Sequence, residues 1–171
     1  MIHLNIGSNL NSKFGTKYEN ISIAIELLIK FKIEISKISN FYATPSYPNN
    51  KLPKFINIGL LIKCDYTYIE LLKKTLLIEK KIGRIKTKKN DPRVCDIDII
   101  DFNGLIIKKE LIKLPHPRCH MRNFVLYPIK EIDPFWIHPI LHKNIDFLID
   151  DLTLKSRIEI TRLRKSVIIK R

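Results

Sequence analysis

Asp91-Pro92-Arg93-Val94-Cys95-Asp96-Ile97-Asp98-Ile99-Ile100-Asp101-Phe102-Asn103-Gly104 is the stretch on which the rest of the chain depends. Read as a strand from Val94 to Phe102, its period of two sends Asp96 and Asp98 to one face and Cys95, Ile97 and Ile99 to the other. The apolar face buries and stiffens the strand. The acidic face carries two carboxylates whose Cα atoms stand about 7 Å apart, from a rise of ~3.4 Å per residue, close enough to converge on hard cations. Facing inward without a cation, the pair would repel and one member would be driven toward protonation. An Asp-x-Asp on an amphipathic strand is more often a solvated face, so the pair gains meaning only from its neighbours. Asn103-Gly104 predicts a two-residue hairpin turn, with Leu105 to Ile107 returning.

Immediately upstream, Arg84-Ile85-Lys86-Thr87-Lys88-Lys89-Asn90 is basic and lacks apolar periodicity. Beside two carboxylates able to hold magnesium, such a loop can clamp phosphate. Before it, Thr67 with Glu70 three residues on is a capping-box signature, opening a helix carried by Leu71, Leu72, Thr75, Leu76 and Ile78 and stopped at Gly83. Glu79 falls near the end of that helix, where a carboxylate opposes the helix dipole; it is either paired with a lysine or retained for a ligand. At the start of the chain, Ile2 to Ile6 alternates into a turn at Gly7-Ser8-Asn9, where glycine permits close approach and the next two residues offer polar groups. Ile21, Ala24, Ile25, Leu28 and Phe31 then recur at helical spacing. Lys32 to Tyr42 returns to alternation and ends in the loop Thr44-Pro45-Ser46-Tyr47-Pro48-Asn49-Asn50. Phe55 to Lys63 is another strand, with Asn57 its polar exception, an amide that satisfies a core neighbour or reaches a ligand.

Downstream, Leu114 to Phe124 is irregular and opens a helix from Phe124 to Ile132. His116, Cys119 and His120, with His138 and His142 further on, include zinc-ligand types but lack a second paired spacing, so no zinc site is expected. Asp146 to Leu152 predicts one more short helix. Residues 157–171 are a basic tail or an extra strand. The succession of elements predicts an α+β sandwich, helices on one face of a mainly antiparallel sheet, in a single domain over residues 1–171.

Composition agrees with a domain of that size: 171 residues, 45% hydrophobic. Thirty-one lysines and arginines against 17 acidic residues give a formal charge of +14. Polyanionic partners suit such a charge, but isoleucine, lysine and asparagine are abundant throughout, so it is discounted as a functional signal. Three widely spaced cysteines, Cys64, Cys95 and Cys119, argue for a reducing compartment. No cationic leader and no apolar run of membrane-spanning length is present, so a cytoplasmic protein without membrane contact is expected.

Six short motifs in register carry a resemblance. They are Ile6-Gly7-Ser8-Asn9-Leu10, Phe41-Tyr42-x-Thr44-Pro45, Phe55-x-Asn57, Glu79-x3-Gly83-Arg84, Pro92-Arg93-x2-Asp96-x-Asp98, and Leu114-Pro115-His116-Pro117-Arg118 followed by Arg122-Asn123-Phe124. Together, over residues 2–134, the chain resembles the hydroxymethyldihydropterin pyrophosphokinases. The resemblance implies a ferredoxin-like fold and transfer of pyrophosphate from ATP to the hydroxymethyl group of a reduced pterin, releasing AMP, in folate biosynthesis. It implies that Asp96 and Asp98 ligate two Mg2+ ions and that Arg84 and Arg93 join them in catalysis. It places Thr44, Pro45, Phe55, Asn57 and Phe124 around the pterin, and Glu79, Arg84, Lys86, Ile99, His116 and Arg122 on the nucleotide side. Its partners are these small molecules, with no nucleic acid, and the chain is expected to be a monomer.

The segment Lys86 to Asp91 departs from the family. It is one residue shorter than the pattern, and Lys89-Asn90-Asp91 replaces an Arg-Trp-Gly. Asn90 cannot stack as an indole does, and Lys86 and Lys89 offer point charges where arginines would be bidentate. The rival for a basic ferredoxin-like sheet is an RNA-binding module. Against it, the chain lacks exposed stacking aromatics on a central strand, and Asp96 and Asp98 repel phosphate unless a cation intervenes.

Overall fold

A computed structural model describes residues 1–46, 51–85, 91–164 and 167 of the chain. Strand β1 (Ile2–Ser8) is buried along its whole length because two antiparallel neighbours flank it. One is β4 (Phe55–Lys63), with Gly7 opposite Asn57; the other is β5 (Asp96–Phe102), with Gly7 opposite Asp96 and Asn5 opposite Asp98. The far edge of β4 is shared by β2 (Glu34–Ile38) and β3 (Tyr42–Thr44), and β8 (Thr161–Arg162) adds to β3. Helix α1 (Lys17–Lys30) connects β1 to β2, and α2 (Tyr68–Ile82) connects β4 to β5. With β5, β1, β4 and the β2/β3 pair in that spatial order, this is the antiparallel, ferredoxin-like α+β fold.

Local chemistry sets the helix ends. Capping boxes open both helices, Thr16 with Glu19 and Thr67 with Glu70, and α2 stops at Gly83, whose φ of 103° suits a residue without Cβ. Ile21, Ala24, Ile25 and Leu28 of α1 and Leu71, Ile78 and Ile82 of α2 pack on Leu4, Ile6, Ile58, Leu60, Ile97 and Ile99.

Three expectations need correction. First, the helices do not share one face. Helix α3 (Asn123–Ile132) and α4 (Ile145–Asp150) cover the opposite side of the sheet, where Ile100 joins Val125, Leu126, Ile129, Trp136 and Leu148 in a second core. A register shift of β5 against β1, between His3 and Leu4, leaves Ile100 without a partner on β1. On β4, a Cβ at Gly59 would stand 2.8 Å from Pro128 Cβ, so the bare backbone lets α3 settle closely.

Second, the strand expected from Lys32 to Tyr42 breaks in two. At the break the Ser39 hydroxyl, rather than a strand carbonyl, accepts from the Gly59 N–H at 2.9 Å, and Asn40 turns its N–H and amide toward Glu131.

Third, the Asn103-Gly104 turn forms, with φ of 54° and 72°, but the following chain does not pair with β5. The outer edge of β5 is already in use: the Ile97 N–H donates to Glu79 and the Ile100 carbonyl accepts from the His116 N–H at 2.8 Å. The returning chain pairs further on, β6 (Ile107–Lys108) with β7 (Lys113–Leu114). A last short helix, α5 (Leu154–Ile158), leads into β8, a two-residue strand within the stretch read as a tail or extra strand.

Candidate active site

The strand ladder assembles the site. Residues paired across a sheet point to the same side, so Asn57, Gly7 and Asp96 form one row and Gly59, Asn5 and Asp98 the next. Thr44 and Phe55 extend the same side at the end of β3 and β4. Gly7 is the necessary gap in the first row: a Cβ there would lie 2.7 Å from Asn57 Oδ1 and 3.6 Å from the Phe55 ring. Asn57 is 3% exposed, and its amide donates to Thr44 Oγ1 at 3.3 Å. With its amide oriented to satisfy its neighbours, Asn5 donates to the Phe124 carbonyl at 2.9 Å and the Ile58 carbonyl at 3.1 Å, which ties the start of α3 to the row carrying Asp98. Pro45, Phe55 and Phe124 are partly exposed at this end of the sheet.

Both aspartates lie on the predicted side of β5, opposite Ile97 and Ile99 in the main core. Guanidinium groups surround them. Arg84 Nη1 donates to Asp96 Oδ1 at 2.6 Å and to Glu79 Oε1 at 2.5 Å, while Arg93 Nη1 donates to Asp96 Oδ2 at 2.9 Å. Arg122 Nη1 donates to Asp98 Oδ2 at 3.2 Å, and its guanidinium lies 5.3 Å from the centre of the Phe124 ring. His116 Nδ1 accepts from the Arg118 N–H at 3.2 Å, and its Nε2 lies 3.4 Å from Arg122 Nη1 and 4.0 Å from Asp98 Oδ2.

Titration behaviour follows from crowding. Burial, and then the neighbouring Asp96 charge, push the Asp98 carboxyl up to about 6 against the pull of Arg122. Burial pushes Glu79 up to about 7, although Arg84 and the Ile97 N–H both favour its ionised form. Burial, with Arg122 and Arg118 nearby, holds His116 down at about 4, so it is neutral near pH 7. Glu79 is therefore not a lysine-paired surface residue. It is 4% exposed and fixes both Arg84 and the β5 backbone.

Two hard oxygen donors on one strand face, one with its carboxyl raised by burial and by the other's charge, fit a hard divalent cation. The arginines meet that need in the free protein. Ile99 is 6% exposed and its side chain packs in the main core, so only its backbone can face a nucleotide. Lys86, Lys89 and Asn90 lie outside the described residues.

Folding also gathers Cys119, His120 and His138, with one ligand atom of each within 4.8 Å of the others. Sequence spacing could not show this, because His138 arrives from beyond α3. His138 Nδ1 accepts from the Ile140 and Leu141 N–H groups, so the neutral ring keeps its proton on the other nitrogen and has no spare lone pair for zinc. A buried aspartate was also missed as a structural anchor: Asp101 accepts from Trp136 Nε1 at 2.8 Å and from the Gly104 N–H at 2.9 Å. The side of the sheet that bears the acidic rows is covered in part by α3 rather than open, which does not favour an RNA-binding surface. Among the described residues, no helix is long and apolar enough to cross a membrane.

Comparison with known proteins gives a consistent result. The family model described as 7,8-dihydro-6-hydroxymethylpterin-pyrophosphokinase matches residues 3–134. A 2-amino-4-hydroxy-6-hydroxymethyldihydropteridine pyrophosphokinase of Aquifex aeolicus is 37% identical over 154 residues, covering 90% of this chain and 93% of that protein. The folic acid synthesis protein FOL1 of Dictyostelium discoideum is 39% identical over 142 residues, but the chain spans only 21% of its length. In structure, the wild-type HPPK-DHPS of Plasmodium falciparum superposes with a TM-score of 0.70 at 15% identity, over 94% of this chain and 47% of that one, a likeness of fold.

Proposed function

We propose, from the premise that this chain belongs to the 7,8-dihydro-6-hydroxymethylpterin-pyrophosphokinase family, that it transfers pyrophosphate from ATP to 6-hydroxymethyl-7,8-dihydropterin in folate biosynthesis. The hydroxymethyl oxygen attacks the β-phosphorus of ATP. The new O–P bond forms as the bond from the β-phosphorus to the oxygen bridging the α-phosphorus breaks, the electron pair leaves with AMP, and the hydroxyl proton is released.

The observation that carries this reading is the shared side of β1, β4 and β5, on which the amide of Asn57 and the carboxylates of Asp96 and Asp98 stand with only β1 between them. Asn57 offers a donor and an acceptor to the edge of a pterin ring, and Phe55 and Phe124 offer apolar faces to it, with Thr44 and Pro45 completing the pocket. Arg84, Arg93, Arg122 and the imidazole of His116 surround the place where triphosphate oxygens would lie, and each is held by a partner on the protein. Aimed donors stabilise charge without reorganising during the reaction. Glu79 holds Arg84 in place. Ile97 turns its N–H away from β1, and two residues on, by the alternation of the ladder, the N–H and carbonyl of Ile99 face the same outer edge, available to a nucleotide base. Lys86 is proposed as a further phosphate contact on the family pattern alone.

Asp96 and Asp98 would hold two Mg2+ ions, which when bound neutralise triphosphate charge and make the attacking hydroxyl easier to deprotonate. A monomer in the cytoplasm completes the proposal; Cys64, Cys95 and Cys119 all being free thiols supports a reducing compartment. The test is direct. Purified protein with ATP, magnesium and the reduced hydroxymethylpterin should release AMP and form the pterin pyrophosphate. Absence of AMP release from folded protein would refute the reading.

A further inference from the structure

Asn9 follows the last residue of β1 and is 2% exposed. Its amide is fully spent. Nδ2 donates to Ser46 Oγ at 3.2 Å and to the Pro53 carbonyl at 3.2 Å, and Oδ1 accepts from the Arg93 N–H at 2.7 Å. Its own backbone N–H donates to the Arg93 carbonyl at 3.1 Å, so Asn9 and Arg93 are joined by two opposed hydrogen bonds. Ser46 Oγ in turn donates to the Pro53 carbonyl at 2.6 Å.

These contacts join segments of different purpose. Ser46 directly follows Thr44 and Pro45 beside the pterin pocket. Arg93 carries its guanidinium to Asp96 Oδ2 at 2.9 Å, on the phosphate side. One planar amide, with donors toward the first segment and its acceptor toward the second, links them directly. An aspartate could keep only the Arg93 half, and alanine neither.

We propose that Asn9 is a positioning residue that transmits occupancy of the pterin pocket to Arg93, so that each substrate tightens the binding of the other. A pterin that pulls on residues 44–46 moves one acceptor of Nδ2, Ser46 Oγ, directly, and reaches the other, the Pro53 carbonyl, through the hydrogen bond that Ser46 donates to it. Because the amide is planar and Arg93 is held to Asn9 through both its side-chain Oδ1 and its backbone N–H, the Arg93 backbone moves with Asn9, and its guanidinium is re-aimed at Asp96 and the triphosphate. Coupling of this kind is reciprocal: an ATP analogue that engages Arg93 must favour the pterin-bound arrangement by the same factor. The inference rests on the function proposed above.

Calorimetry tests it by measuring pterin affinity with and without a saturating, nonhydrolysable ATP analogue and magnesium. In the unaltered protein the analogue should tighten pterin binding about fivefold or more, the low end of ordinary coupling. In Asn9→Asp, which keeps the acceptor for the Arg93 N–H and loses both donors, that ratio should fall to about one, while affinity for the analogue alone changes less than the ratio does. A merely structural clasp would lower stability and leave the ratio alone. Ser46→Ala, which removes one of the two acceptors, should lower the ratio part of the way and carries the test if the Asn9 variant fails to fold. An unchanged ratio in either folded variant overturns the proposal, as does an unaltered protein that binds both ligands with no mutual effect. An unaltered protein that binds neither ligand removes the functional reading itself, and the proposal with it.

Discussion

Replacing Glu79 with glutamine should stabilise the protein while impairing it. The Glu79 side chain is 5% exposed, and burial raises its carboxyl from an ordinary 4.5 to about 7 despite the adjacent Arg84. Its folded value therefore lies above its unfolded one. Below about 4.5 the carboxyl is protonated in both states and costs nothing; between there and about 7 the unfolded chain ionises first, so stability falls as pH rises through that window and stays lower above it. A shift from 4.5 to about 7, at about 1.4 kcal/mol per unit, amounts to roughly 3 kcal/mol. Glutamine has no such titration and retains an oxygen to accept from the Ile97 N–H. Urea denaturation of both proteins at about pH 4.5 and about pH 8 isolates the effect, since groups common to both cancel in the difference. The advantage of Glu79→Gln should grow by roughly 3 kcal/mol between the two conditions. Turnover should fall at the same time, because Arg84 loses one of its two anchoring carboxylates. Parallel stability curves would show that Arg84 and the Ile97 N–H offset the burial in full, and the account of a strained buried carboxyl would fail.

Other substitutions separate the two halves of the site. Asp96→Asn or Asp98→Asn should cut AMP release by roughly 10²-fold or more with the fold retained by circular dichroism, and normal release from either would remove the metal assignment. Asn57→Ala should weaken pterin binding roughly tenfold, the loss of about one hydrogen bond to a buried ring edge, while leaving binding of the ATP analogue nearly unchanged; calorimetry showing equal losses would move the pocket elsewhere. Gly7→Ala places a methyl 2.7 Å from Asn57 Oδ1. It should cost about 1–3 kcal/mol in urea denaturation and weaken pterin before nucleotide, and a variant as stable and as tight-binding as the parent would show that the row has room to spare.

What the sequence made legible is what local periodicity controls. Asp96 and Asp98 against Ile97 and Ile99 is a strict alternation, so the acidic side of β5 could be assigned before the ladder was known. The capping boxes at Thr16 and Thr67 and the stop at Gly83 are likewise local chemistry. The register shift after Ile99 marks where this ends: it leaves no trace in an apolar run, yet it turns Asp101, paired with His3, to the side of Asp98 and Ile100, where it accepts from Trp136 Nε1. The hairpin after Gly104 failed for a similar reason: its turn residues are right, but Glu79 and His116 reach the open edge of β5 from elsewhere in the chain. The arginines illustrate the deeper limit. Sequence marks them as phosphate ligands; the structure shows Arg84, Arg93 and Arg122 bound to Asp96 and Asp98. A like-charged acidic pair in a half-buried site must be compensated in the absence of ligand, and these cations do so at home. Triphosphate can engage them only as something else compensates the carboxylates, which ties phosphate binding to cation binding. The charge that matters is the small set of guanidinium groups whose partners can be exchanged.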